Sequence, residues 1–128
     1  MPLVIFDLDG TLLQTTGVDD ACFIEAMDAA LGIRGFETDW SRYAHATDTG
    51  LTHEIVRRHH GRAALEQEVR AVHDAFIALL SRQALERPDR FARVPGVEPM
   101  LARVRAMRGA GWGVGLATGA WRASALTK

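Results

Sequence analysis

The sequence predicts an α/β fold in which parallel strands are interrupted by a large helical insertion, and three observations carry that reading. Two short apolar runs, Leu3-Val4-Ile5-Phe6 near the start and Trp112 to Ala117 near the end, each stop at small polar residues. Helical periodicity fills nearly everything between them. That interval is far longer than a simple crossover between neighbouring parallel strands needs, so an inserted helical subdomain is the economical solution.

Each element follows from its own residues. Leu3 to Phe6 is rich in β-formers and shows no polar alternation, the pattern of a strand covered on both faces. Asp19 or Asp20 is placed to cap a helix carrying Ile24, Met27 and Leu31 on one face, with Gly32 at its C-terminal end. A second helix is expected to start at Asp48 or Thr49 and to turn Leu51, Ile55 and Val56 inward. The longest runs from about Arg62 to Glu86, where Leu65, Val69, Val72, Phe76 and Leu79 recur at helical spacing. Pro88 breaks it, and Val94-Pro95-Gly96 opens the next helix. Val97, Met100, Leu101, Val104 and Met107 share a face there, and Gly109-Ala110-Gly111 ends it. The second strand, "WGVGLA", contains two glycines, a sign of close backbone packing. Residues 1–15 and 91–128 then make the strand-bearing core, and residues 16–90 the helical insertion.

The bulk composition excludes several function classes. A formal net charge of -1 leaves no electrostatic footprint for nucleic acid or an anionic membrane surface. Arg57, Arg58 and Arg62 form the densest basic stretch, but Glu54 and Glu66 flank them, as on a solvated helix face. Cys22 is the single cysteine, so no disulfide closes within the chain, and a reducing, cytoplasmic setting is expected. No apolar stretch is long enough for a signal peptide or a membrane span. His45, His53, His59 and His60 follow no recognised ligand spacing and read as solvated or partly packed side chains.

The chemistry concentrates where the strands end. In parallel sheets, ligands bind outside the carboxyl ends of the strands. Asp7, Asp9, Gly10 and Thr11 follow the first strand, and Thr118 and Gly119 follow the second. With Gly10 curling the chain, both carboxylates come to one small pocket, where a cation or a retained proton offsets their repulsion. Hard oxygen ligands of this kind select Mg²⁺. If a phosphate docks there, one Asp can attack it as a covalent nucleophile and the other can serve as general acid and base. The Thr118 hydroxyl and nearby backbone N–H groups can hold the phosphate oxygens. Taken alone, Asp9-Gly10 reads better as a turn and Asp7 as a cap. The apolar strand before them and "LATG" far downstream favour the site.

These residues resemble a known family. "FDLDGTLL" is similar to the first motif of the haloacid dehalogenase-like (HAD-like) hydrolases, D-x-D-G-T after a hydrophobic strand. "VPGVEPMLARVRAMRGAGWGVGLATG" resembles the helix and second strand of that family, ending in its threonine or serine motif, and residues 16–90 resemble its α-helical cap. The resemblance implies a Rossmannoid core and a Mg²⁺-dependent phosphatase of a small phosphorylated metabolite. By the same likeness Asp7 would be the nucleophile and a Mg²⁺ ligand, and Asp9 the acid/base, with its backbone carbonyl on the metal. Thr118, with the backbone of Leu8 and Gly119, would hold the phosphoryl group. An Asp at position 9 favours phosphoryl transfer, because a halide leaving group needs no proton donor. A phosphomutase is compatible with the same motifs. A phosphonate hydrolase would need a lysine in the cap, and none precedes Lys128.

Further positions carry two readings each. Lys128 fits the family's basic motif, a phosphate-binding role, or an ordinary helix-end lysine. Thr47 and Asp48, in "HATDTG", fit a cap loop that touches substrate, or a helix N-cap. Arg122 reads as a surface residue, and Trp112 and Trp121 as packing residues. No acidic residue follows Glu98, although the family completes its Mg²⁺ site with one. The sequence is therefore expected to be a piece of a longer protein, and weak Mg²⁺ binding and doubtful activity are expected of the piece itself. A catalytically incomplete or purely binding product is the alternative. Two strands alone leave open sheet edges, which would permit self-association.

Overall fold

A computed structural model describes residues 1–128. The order is β1 (Leu3–Phe6), α1 (Thr16–Leu31), a 3-10 turn at Trp40–Arg42, α2 (Asp48–His60), α3 (Glu66–Glu86), a second 3-10 turn at Pro88–Phe91, α4 (Val97–Gly109), β2 (Gly113–Leu116) and α5 (Arg122–Thr127). The two strands pair in parallel, Leu3 beside Gly113 through Phe6 beside Leu116. They are neighbours although four helices separate them in sequence. The expected strands, large insertion and adjacent parallel sheet are therefore all present.

Boundaries differ where local chemistry was misread. α1 begins at Thr16, with Thr15 at the cap position, so Asp19 and Asp20 lie inside its first turns. Its buried face is Val18, Cys22, Phe23, Ala26 and Met27, while Ile24 is exposed. Gly32 ends it at φ 65°, a left-handed conformation that glycine adopts without a Cβ penalty. α3 starts at Glu66 instead of about residue 62. Gly61 closes α2, and the Glu68 carboxylate, which caps the Leu65 N–H at 2.8 Å, sets the start.

The strand reading needs a correction too. A continuous apolar run predicts cover on both faces, yet Leu3 and Ile5 are each 57% exposed. With two strands and α4 packed on β2, one face of β1 has nothing against it. The main hydrophobic core lies elsewhere. It joins Val18, Phe23, Met27, Ile55, Val72, Phe76 and Leu80 across α1, α2 and α3. Trp121, from the stretch after β2, reaches into this helical core, its ring centroid 5.7 Å from Phe76 and 6.3 Å from Phe23.

The helical block joins the strands through two paired linkers. Gln14 N–H donates to Ala92 C=O at 2.7 Å, and Val94 N–H to Leu12 C=O at 3.0 Å. No helix is long and apolar enough to cross a membrane.

Candidate active site

The carboxyl ends of β1 and β2 open on a cavity of about 550 Å³. Asp7 and Asp9 line it from the first strand, and Ala117, Thr118, Gly119 and Ala120 from the second. The opposite wall comes from the helical block: Thr16, Asp19 and Asp20 on α1, Trp40, and Ala46-Thr47-Asp48 ahead of and at the start of α2. Asp7, Asp9, Thr118, Gly119, Thr47 and Asp48, all singled out from sequence, therefore face one space.

The loop after β1 is shaped by its own hydrogen bonds. Leu8 C=O accepts from the N–H groups of Leu12 and Leu13 at 2.9 and 3.1 Å, and Gly10, at φ 77°, makes the curl. The Thr11 hydroxyl stands 3.5 Å from Asp7 Oδ2. Thr15, completely buried, donates its hydroxyl to Asp9 Oδ1. The N–H groups of Leu8 and Gly119 donate to no backbone or side-chain acceptor in the chain. The Gly119 amide lies on the cavity wall as a ready donor for an anion, while Leu8 is buried and is not among the residues that line the cavity. Thr118 Oγ1 accepts from Ala120 N–H at 3.1 Å, which fixes that hydroxyl over the turn and leaves its own hydrogen to donate.

The helical block docks directly on the second loop. Asp48 N–H donates to Gly119 C=O at 3.0 Å, and Asp48 Oδ2 accepts from Trp121 N–H at 2.9 Å. Trp121 Nε1 donates to Thr49 Oγ1 at 2.8 Å. Glycine at 119 permits this approach, since a Cβ there would lie 2.4 Å from the Ala46 carbonyl oxygen. Thr47 Oγ1 accepts from Gly50 N–H at 3.1 Å, so Thr47 is the N-cap of α2 while it also lines the cavity. Asp48 has its own structural partner in Trp121.

Lys128 reaches the site from the end of α5. Its Nζ lies 2.7 and 2.8 Å from the two carboxylate oxygens of Asp9 and pairs with Asp19 Oδ1. Burial alone would lower the Lys128 ammonium, but its partners Asp19 and Asp9 outweigh that and hold it above its ordinary value. Burial pushes the Asp19 carboxyl up to about 6 against the pull of Lys128, and it also raises Asp20 and Asp48. Asp20 is held by Trp40 Nε1 at 2.8 Å.

Sequence reading missed Asp19, Asp20, Thr15 and Trp40. The Asp19-Asp20 pair is the available signal, and its residue types fit helix capping as well. Arg122 is exposed on the outer surface.

The oxygen donors of the cavity suit a hard cation, but no three acidic or histidine side chains converge on one point. Mg²⁺ commonly takes one or two carboxylates and completes its shell with phosphate and water. Asp7 and Asp9 fit such a partial shell by type and position, and they do not make a full protein cage.

A family model for haloacid dehalogenase-like hydrolase matches residues 4–125. No curated protein matches the sequence. Among solved structures, the chain is similar to a hydrolase from Pseudomonas syringae, with a TM-score of 0.70 at 18% identity over 98% of this chain and 53% of that one. A candidate beta-phosphoglucomutase from Bacteroides vulgatus aligns with a TM-score of 0.68 at 20% identity, over 91% of this chain and 44% of its own. CbbY from Rhodobacter sphaeroides, solved in complex with phosphate, gives 0.57 at 24% identity over 97% and 53%. At these identities the likeness is one of fold, and the chain spans about half the length of these solved structures. The family match runs over nearly the whole chain and takes in Asp7, Asp9 and Thr118 together with the helical block between them. On that match, and with the strand-end cavity those residues line, the chain belongs to the haloacid dehalogenase-like hydrolases.

Proposed function

We propose that the whole protein is a Mg²⁺-dependent phosphatase of a small phosphorylated metabolite, with residues 16–90 as a cap over the site. One observation carries the reading: Asp7, Asp9 and Thr118 meet on one cavity at the carboxyl ends of two adjacent parallel strands.

In this mechanism a carboxylate oxygen of Asp7 attacks phosphorus. The bond to the ester oxygen breaks, and the leaving alcohol takes a proton from Asp9. Asp9, now ionised, accepts a proton from water as that water attacks the aspartyl-phosphate. The bond between Asp7 and phosphorus then breaks, and inorganic phosphate leaves. The Thr118 hydroxyl and the free N–H group of Gly119 donate to the phosphoryl oxygens, where charge accumulates. The Asp7 carboxylate and the Asp9 carbonyl would hold Mg²⁺, which would supply neutralising charge for the phosphate. Thr47 and Asp48, on the cap side, contact the remainder of the substrate.

The test is phosphate-ester hydrolysis by the whole protein with p-nitrophenyl phosphate and Mg²⁺. Asp7→Asn removes the attacking oxyanion and is expected to lower kcat by about 10³-fold or more. Retention of hydrolysis by Asp7→Asn would show the mechanism to be wrong.

A further inference from the structure

Lys128 is the chain's single lysine, and its side chain is completely buried. An ammonium offers three N–H donors and no acceptor. Its Nζ stands 2.7 and 2.8 Å from the two oxygens of Asp9 and forms an ion pair with Asp19 Oδ1. The ammonium is turned to these carboxylates, and Lys128 is not among the residues that line the cavity where a phosphate would dock. The three side chains come from separate places: the loop after β1, the first turns of α1 and the end of α5.

We infer that Lys128 and Asp19 are positioning residues for Asp9: the ammonium grips both Asp9 oxygens, and Asp19 holds the ammonium in place. A lysine side chain is long and flexible, so one carboxylate alone would fix it poorly. Asp19, on a different element, gives the second anchor. In return the ammonium separates two carboxylates that would otherwise share a partly buried space without a counter-charge. Thr15 adds its hydroxyl to the same Asp9 oxygen. The Asp9 carboxylate is thus held by the core and by the helical block together. The catalytic consequence rests on reading Asp9 as the acid/base group, whose ionised form, the base for the attacking water, is the one that offers both oxygens to the ammonium; the clamp itself does not.

The test uses the lysine's uniqueness, since a ¹H–¹⁵N spectrum of side-chain ammonium groups contains one lysine signal. The Nζ signal of the chain is expected to survive solvent exchange at neutral pH. It should move in Asp19→Asn, vanish in Asp9→Asn, and stay in place when inorganic phosphate and Mg²⁺ are added. A signal lost to exchange in the unsubstituted chain, or indifferent to either substitution, overturns the clamp. So does a signal that shifts with phosphate, which would make Lys128 a phosphate ligand. In the whole protein, Lys128→Met is expected to lower kcat by about tenfold or more with KM within about threefold, and Lys128→Arg to restore part of the loss. An unchanged kcat in Lys128→Met overturns the positioning role. If Lys128→Met fails to fold, the Asp9→Asn and Asp19→Asn spectra decide. Failure of the phosphatase reading would be separate: no hydrolysis, with the Nζ signal intact.

Discussion

Asp19 is a carboxylate taken out of water, and its cost is visible in its proton affinity. Burial raises it from 3.8 to about 6. Between those values the folded chain keeps a proton that the unfolded chain has released. Stability therefore falls as pH rises through that window, by on the order of 3 kcal/mol for this group. Urea unfolding of the chain at about pH 4 and pH 6.5 is expected to show that slope, and Asp19→Asn should flatten it. The place of Asp7, Asp9 and Thr118 on one cavity was legible in the sequence because it depends on short spacing after two apolar runs. Asp19 was not, because its role depends on where α1 starts and on a lysine at the far end of the chain. Lys128 was legible as a basic group without a defined partner.

At the scale of elements, α2 joins local and tertiary constraints at one end. Thr47 caps it through Gly50 N–H, and the next residue, Asp48, docks it on Gly119 and Trp121. The helix-cap reading of this loop holds for Thr47, which also lines the cavity from which a substrate would be reached. Thr47→Ala removes the cap acceptor and is expected to cost about 1 kcal/mol, measured as a lower denaturant midpoint at unchanged slope. The inner face of α2 followed from its periodicity, as Leu51, Ile55 and Val56 are buried. That of α1 followed only at Met27, because Val18 precedes an Asp19 or Asp20 cap and the buried face runs through Cys22, Phe23 and Ala26 while Ile24 is exposed.

For the whole molecule, the apolar core and the candidate chemistry occupy different parts of the fold. Phe76 is completely buried among α1, α2 and α3, while Ile5 in β1 is 57% exposed. Phe76→Ala is expected to cost about 3–5 kcal/mol and Ile5→Thr within about 0.5 kcal/mol, read by urea unfolding of each variant. The class of fold was legible because two apolar runs and a long helical interval admit few topologies. The location of the core was not. Continuous apolar character in Leu3 to Phe6 signals burial only when helices or further strands cover both faces, and sequence periodicity does not count the covering layers.

The paired linkers at Leu12 to Gln14 and Ala92 to Val94 give the helical block one more property. Its entry and exit lie side by side, tied by backbone hydrogen bonds of 2.7 and 3.0 Å. An insertion whose ends already meet can be exchanged for another, or for a short turn, without pulling the flanking chain apart. The block is in that sense a cassette at its backbone joints, and what ties it further to the strand ends is a separate set of contacts, Asp48 on Gly119 and Trp121 in the helical core.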